Sequence, residues 1–357
     1  MRIFFKNIAS MIVLITLLAF ASCKPVEPEK IEKPIAKDTS IIKISSEMPP
    51  LVTYPDNKLS RAGVELGRFL FYDKLLSEDN TLSCASCHNQ AMAFTDNGKK
   101  FSMGTKLLEG NRNSMPTFNL IWFDSLFWDS RASRLKQLVL MPIENPLELN
   151  TTPEAVVAKL KLLPEYKQRF IKAFGSDEIT VEKMALSVEQ FLMTIVSDNS
   201  KFDKAKRGEA KLDVLEQRGF DVASQKGCFN CHSTTLFTDN LSHNTGLDLN
   251  PNSDFGMGGF TLKYNHDFTF KTPSLRNVEL TGPYMHDGRF KTLEEVIKFY
   301  DEDVANNLSS RNISLIFMQQ ALRNRLSPDD MKAVIAFLKS LTDYDMVTNP
   351  KFSDPFK

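Results

Sequence analysis

Histidine and cysteine are scarce in this 357-residue chain, five of each, and tryptophan is scarcer still at two. Net charge is absent as well: 44 Lys and Arg balance 44 Asp and Glu. Without residues 1–22 the count becomes 42 bases against 44 acids, because Arg2 and Lys6 go and no acid does. With no basic excess to track phosphates, the composition speaks against a nucleic-acid partner. No β-rich stretch stands out. The apolar run Met11–Phe20 is too short to cross a bilayer as a mature helix. What is plentiful is phenylalanine, at 27, which suits pockets walled against a large apolar ring and equally any aromatic core.

The few cysteines fall in a pattern. Four of them form Cys84-Ala-Ser-Cys87-His88 and Cys228-Phe-Asn-Cys231-His232. Two thiols three positions apart, with a histidine directly after the second, is the spacing that attaches haem c. The sulfurs add to the porphyrin vinyl groups and the adjacent imidazole becomes the proximal iron ligand. Zinc would need two further Cys or His near each motif, and His243 and His266 alone lack a better assignment. Two complete copies make chance remote, so the chain reads as a di-haem cytochrome. The haem irons fall to His88 and His232.

The fifth cysteine belongs to an export signal. A short basic region with Arg2 and Lys6 precedes the apolar run, which ends in Phe20-Ala21-Ser22-Cys23. That tetrapeptide resembles a lipoprotein box, although such boxes usually carry Leu where Phe20 stands. Residues 1–22 are therefore read as a lipoprotein signal peptide, with lipid on Cys23 as a membrane anchor in the periplasm or cell envelope. Residues 23–50, rich in Pro, Lys and Glu, read as a tether reaching on the order of 80 Å if extended.

Helical periods fill most of the rest. Leu59, Ala62, Leu66, Phe69 and Leu70 share a face on a helix leading to the first motif. Residues after His88, as far as Asn113, read as loop. Thr152-Pro153 opens a helix, Gly175 stops the one carrying Tyr166, Phe170 and Phe174, and Thr180 opens another with Val181, Met184, Ala185, Val188, Leu192 and Ile195 inward. Leu212, Leu215, Gly219 and Val222 form the stripe that delivers Cys228. Ser327 caps a final helix with Asp329 and Asp330 in its first turn and Met331, Val334, Ile335, Leu338 and Leu341 buried. The class is all-α, with two cytochrome c-like haem domains in tandem at 51–205 and 206–345 and a tail at 346–357.

The halves repeat each other. Phe94-Thr-Asp-Asn97 recurs as Phe237-Thr-Asp-Asn240, Pro116-Thr-Phe-Asn119 as Pro273-Ser-Leu-Arg-Asn277, and Trp128-Asp-Ser-Arg131 as His286-Asp-Gly-Arg289. This register sets Pro142, fourteen positions after Trp128, against Tyr300, fourteen after His286. If these segments cover the distal haem faces, Pro142 leaves the first iron open, whereas Tyr300 can ligate the second as a phenolate. Tyr300 can also be a plain pocket wall, and Met285, Met318 and His266 compete for the same coordination position. Glu148 is the candidate proton carrier beside an open iron, with Glu144 as rival. Trp128 is either a core residue or a hopping site between haems.

The two CxxCH motifs, the FWDSRAS segment, the loop from Pro142 to Glu148 and the block TPSLRNVELTGPYMHDGRFKTLEEV resemble the bacterial di-haem cytochrome c peroxidase and MauG family, from about Leu51 to Asp343. The resemblance implies reduction of hydrogen peroxide at the N-terminal haem, with electrons from a small cytochrome or other protein donor through the C-terminal haem. It implies Trp128 as the inter-haem tryptophan, Glu148 as the distal glutamate, and calcium between the domains on Asn113, Thr281 and the Pro283 carbonyl. Family members are often dimers, which allows a homodimer here. There are departures. Leu138 stands where the family usually has a distal glutamine, with Gln137 one position off. The histidine that blocks the resting peroxidase haem would fall at Gly104, beside Met103. Tyr300 matches MauG, where the peroxidases carry methionine. A MauG-like oxidase acting on a partner protein, or a di-haem electron carrier, are the alternative functions.

Overall fold

The computed structural model describes residues 41–233, 235–247, 253–303 and 326–357. The signal segment, Cys23, the tether up to residue 40 and Met318 lie outside the described residues. Among the described residues the chain is mostly helical, and no helix is long and apolar enough to cross a membrane. In the first half run α1 (Arg61–Tyr72), the short α2 (Cys84–Cys87), α3 (Leu135–Leu138), α4 (Met141–Glu144), α5 (Pro153–Lys161), α6 (Pro164–Phe174) and α7 (Val181–Thr194). Then come α8 (Lys201–Lys206), α9 (Val214–Gln225), α10 (Met257–Thr261), α11 (Leu293–Lys298), α12 (Pro328–Ser340) and α13 (Tyr344–Thr348). A two-residue antiparallel ribbon pairs β1 (Ser242–His243) with β2 (Phe270–Lys271).

Each half is organised by a crossing of two helices, α1 on α7 and α9 on α12. Both crossings turn on a glycine. A side chain on Gly67 would collide with the Ser187 carbonyl and crowd Phe191, and one on Gly219 would collide with the Ala333 carbonyl and crowd Phe337. This contact moves the buried face of α1 away from the purely apolar stripe: Gly63, Leu66, Gly67, Leu70 and Phe71 are inside, while Phe69 packs edge-on to Phe356. The correction for α9 is similar. Gly219, Val222 and Ala223 face inward as Glu216 does, but Leu215 is exposed. The caps follow the sequence: Ser60, Thr152, Thr180 and Ser327 each accept a backbone N–H in the first turn.

Beyond each crossing an asparagine with positive φ clamps the chain after the second helix. Asn119 donates its N–H to Ile195 and accepts from the Ser197 N–H at 2.8 Å. Asn277 donates to Leu341 and accepts from the Asp343 N–H at 2.7 Å. Both side chains are fully buried, and the Asn277 amide also donates to the Ser197 hydroxyl, which ties the halves together.

The apolar interior forms two clusters. One is built mainly from Ile42 to Ile195, joined by Leu236 and the C-terminal tail, the other from Phe202 to Leu341. In the second, Phe202, Phe220, Phe229 and Phe237 all make ring contact with Phe337, which gives the phenylalanine surplus a structural role. A ring buried as fully as Phe337 contributes about 1.5–3 kcal/mol. Two segments expected to be peripheral belong to the first cluster. Ile42 and Met48 of the tether are buried in it. From the tail, Met346, Val347 and Phe352 return to it, held by bonds from Gln90 Nε2 to the Met346 and Asn349 carbonyls.

Candidate haem sites

α1 and α2 carry the first motif into the wall of a cavity of about 500 Å³. Cys84, Cys87 and His88 line it, together with Phe118, Trp128, Leu138, Pro142, Glu148 and Leu149. His88 Nδ1 lies 2.9 Å from the Phe94 carbonyl, made available by positive φ at Ala93 and Phe94. Burial holds the imidazole below its ordinary pKa, so the ring is neutral, donates Nδ1–H to Phe94 and leaves the Nε2 lone pair free. The second motif repeats the device: His232 Nδ1 lies 3.2 Å from the Phe237 carbonyl, and burial again lowers the ring.

Burial pushes Cys84 up to about 12 and Cys87, Cys228 and Cys231 to about 11. Such thiols stay protonated, the opposite of what a redox dithiol or a thiolate metal site needs. Cys231, Asp239 and His243 do bring ligand atoms within 4.8 Å of one another. A closed zinc site needs a fourth ligand, and Asp239 Oδ2 is already bonded to His243 Nε2 at 2.6 Å. Neutral thioethers and an apolar cavity of this size fit a covalently held porphyrin. The wall also contains a polar group without a partner: Thr117 Oγ1 is buried and makes no hydrogen bond among the described residues.

Over the first cavity the geometry separates the two rival acids. Glu144 ends α4 and is exposed, whereas Glu148 turns into the cavity. Its carboxylate accepts from Asn145 Nδ2 at 2.7 Å, and burial raises its pKa, with the Arg131 charge opposing. Leu138 and Pro142 line the cavity, while Gln137 faces solvent, as expected from its place on the helix. Gly104 lies so close to the Leu147 carbonyl that a side chain would collide with it, and Thr105 N–H donates to the Glu148 carbonyl at 3.0 Å. A histidine at Gly104 therefore has no room in this arrangement. Met103 stands in the cavity wall in its stead.

Trp128 closes the side toward the second half. Its Nε1 donates to the Asn113 carbonyl at 2.9 Å, and its own carbonyl accepts from the Lys271 N–H at 2.8 Å. Asn113 is a junction. Its N–H donates to His286 O at 2.7 Å and its side-chain amide to the Lys99 and Lys100 carbonyls at 3.1 Å. His286, equivalent to Trp128 in the repeat, is stacked on Phe270 at 3.7 Å. Thr281 and the buried Pro283 lie on the turn just before His286, whereas the Asn113 side-chain amide is bonded to the Lys99 and Lys100 carbonyls. Tyr300 follows α11 and is half-buried. Burial first, then the charges of Cys231 and Cys228, would hold its hydroxyl well above the ordinary range, so it sits beside the second motif. Of its rivals, His266 is engaged by the Thr261 hydroxyl at 3.0 Å, and Met285 is held at positive φ.

Residues 61–211 match the family described as di-haem cytochrome c peroxidase, and residues 216–342 match cytochrome c. The chain is 34% identical over 315 residues to the methylamine utilization protein MauG of Methylorubrum extorquens, covering 85% of each. It belongs to the di-haem cytochrome c peroxidase and MauG family. It is also 34% identical over 283 residues to the cytochrome c551 peroxidase of Nitrosomonas europaea, covering 78% of this chain and 79% of that one. A crystal structure of a MauG-like protein associated with microbial copper homeostasis superposes with a TM-score of 0.80 at 32% identity, covering 88% of this chain and 99% of that one. Like its relatives the protein is an oxidoreductase of peroxidase type, built from two haem-related regions with two haem c groups. Relatives of both names match at equal identity, so the choice between the two activities falls to the sites.

Several residues escaped sequence reasoning. Ser102, Thr117 and Lys271 line the first cavity, yet each reads in sequence as an ordinary loop or strand residue. Arg112 lies in the same wall, paired with Asp129 and Asp254, both at 2.6 Å. A polar residue pointing into a cofactor cavity has no periodic signal, and only the repeat could have singled out the segment around Lys271.

Proposed function

We propose that the protein reduces hydrogen peroxide at a haem c on Cys84, Cys87 and His88, with electrons drawn through a second haem c on Cys228, Cys231 and His232. Bound haem iron supplies a Lewis-acidic, redox-active centre at which peroxide, two protons and two electrons become two waters. His88 offers Nε2 as proximal ligand while its Nδ1–H is held by Phe94. The side chains of Leu138 and Pro142, in the wall of the same cavity, carry no atom that could ligate iron. Glu148 takes a proton from one peroxide oxygen and returns it to the other, a task suited to a carboxyl group whose pKa is raised toward neutrality. Trp128 lies on the electron route, held by its bonds to Asn113 and Lys271. The donor is a small cytochrome or another protein.

The observation that carries this reading is that His88, Glu148 and two ligand-less walls share one cavity. The EPR spectrum of the resting ferric protein tests it. One high-spin and one low-spin centre are expected; two low-spin centres would mean a plain electron carrier. Tyr300 favours a second reading, oxidation of a partner protein's side chains in the manner of MauG, because a phenolate on the second iron lowers its potential relative to methionine. Stoichiometric oxidation of a donor cytochrome by peroxide distinguishes the two.

The same proposal has the chain arise by duplication of one haem domain, with its two glycine crossings and twin asparagines as support. It places calcium on oxygens of Asn113, Thr281 and Pro283, a set of neutral donors that water would have to complete. It has the chain exported and anchored by lipid on Cys23, which mass spectrometry of the mature N-terminus tests.

A further inference from the structure

One buried cation in the first cavity belongs to the second half of the chain and is used by nothing described so far. Lys271 on β2 is 3% exposed and lines the cavity that holds His88. Its backbone N–H is fixed by the Trp128 carbonyl, and its ammonium lies 4.8 Å from the centre of the Phe123 ring. That ammonium makes no ion pair or hydrogen bond among the described residues. Asp239, whose charge reaches it, is engaged by His243. Burial pushes the lysine down to about 8, the mark of a cation in want of an anion. Leaving an ammonium unpaired in such a wall costs several kcal/mol.

The surroundings suit a carboxylate. Thr117 Oγ1 is a buried hydroxyl without a partner among the described residues, in the wall of the same cavity, and Ser102, beside Cys87, lines it too. The porphyrin that the two cysteines would attach there carries two carboxylate side chains. We propose that Lys271 is the counter-charge of a haem carboxylate in the first cavity, so that the second half of the chain helps set the reduction potential of the first haem. This rests on the haem assignment above. A positive charge next to the porphyrin favours the reduced, more negative form, so its loss lowers the potential.

The test is spectroelectrochemistry of the holoprotein, following each haem by its own visible band. Lys271→Met is expected to lower the potential of the first haem, with a change of about tenfold in its reduction equilibrium, or about 59 mV for one electron. Lys271→Arg should stay near the wild-type value, and the second haem should hold its potential in both variants. Lys271→Gln, which keeps a polar end and removes the charge, should give the same fall and serves if the Met variant does not fold. An unmoved first-haem potential, or a shift confined to the second haem, overturns the proposal. Failure of the underlying haem assignment looks different: mass spectrometry of the wild-type protein would then find fewer than two attached porphyrins.

Discussion

The two haem sites use one mounting and differ in their lids. In each, a helix crossing at a glycine carries the CxxCH motif, a phenylalanine carbonyl fixes the histidine tautomer, and a buried asparagine locks the chain behind the second helix. The parts proposed to hold a porphyrin are thus common to both. Over the first site lie a proline, a leucine and a half-buried acid; beside the second lies a tyrosine. Mounting and lid come from different stretches of each half, so one can change while the other is kept. That is how a single scaffold can serve both a reacting centre and an electron relay.

The contrast breaks most sharply at Glu148. Glu148→Gln removes the proton carrier and keeps the shape and the Asn145 contact. Peroxide turnover should fall about 10²–10⁴-fold, with both haems still attached and the second haem's spectrum untouched. Steady-state assay with a donor cytochrome measures this; unchanged turnover would take Glu148 out of the mechanism and leave the first lid without chemistry.

The shared mounting can be challenged next. Gly67→Ala and Gly219→Ala each drive a methyl group into a backbone carbonyl, and each should destabilise its own half by about 3 kcal/mol or more. Urea unfolding followed separately at each haem band reads this. A Gly67→Ala protein in which only the first haem's transition moves supports two cores that answer independently. A single transition lowered equally by both changes would show that the cores unfold as one.

Much of the mounting was legible in the sequence and little of its fit. CxxCH spacing, helix caps such as Ser327 and the stop at Gly175 are local chemistry, so they survive folding unchanged. Gly219 fell on the expected stripe, but the close approaches at Gly67 and Gly219 were not legible as contacts, because a helical period does not say which backbone meets a glycine. Nor was the burial of Glu189 and Gln190 on α7, which are paired with Arg134 and Asn57 from distant segments. The choice between Glu144 and Glu148 needed the direction in which α4 ends. Lys271 needed the ribbon that brings β2 against Trp128. Polar groups in cavities are placed by tertiary contacts, and one strand of sequence holds no trace of those.

The second lid has its own test. Tyr300→Met should raise the second haem's potential by on the order of 100 mV, since axial ligands tune haems over about 0.8 V. Its ferric spectrum should change while the first haem's stays as it was. An unaltered spectrum would return Tyr300 to the pocket wall, and the two lids would then differ only in the acid.

The smallest effect expected is also the most specific to the first lid. Burial raises the Glu148 carboxyl above its ordinary 4.5 in the folded protein, whereas the unfolded chain titrates at the ordinary value. Its contribution to stability is therefore complete below the unfolded pKa and is lost as pH rises through the folded one. Glutamine has no proton to lose. The Glu148→Gln holoprotein should match the wild type in stability near pH 4 and exceed it increasingly at higher pH, levelling off once the folded carboxyl has ionised. The plateau is about 1.4 kcal/mol for every pH unit separating the two pKa values. Urea unfolding at a series of pH values reads the difference. A gap that does not change with pH would mean that the acid over the first site is solvated like any loop carboxylate, and the raised pKa that suits it to carry protons would be gone with it.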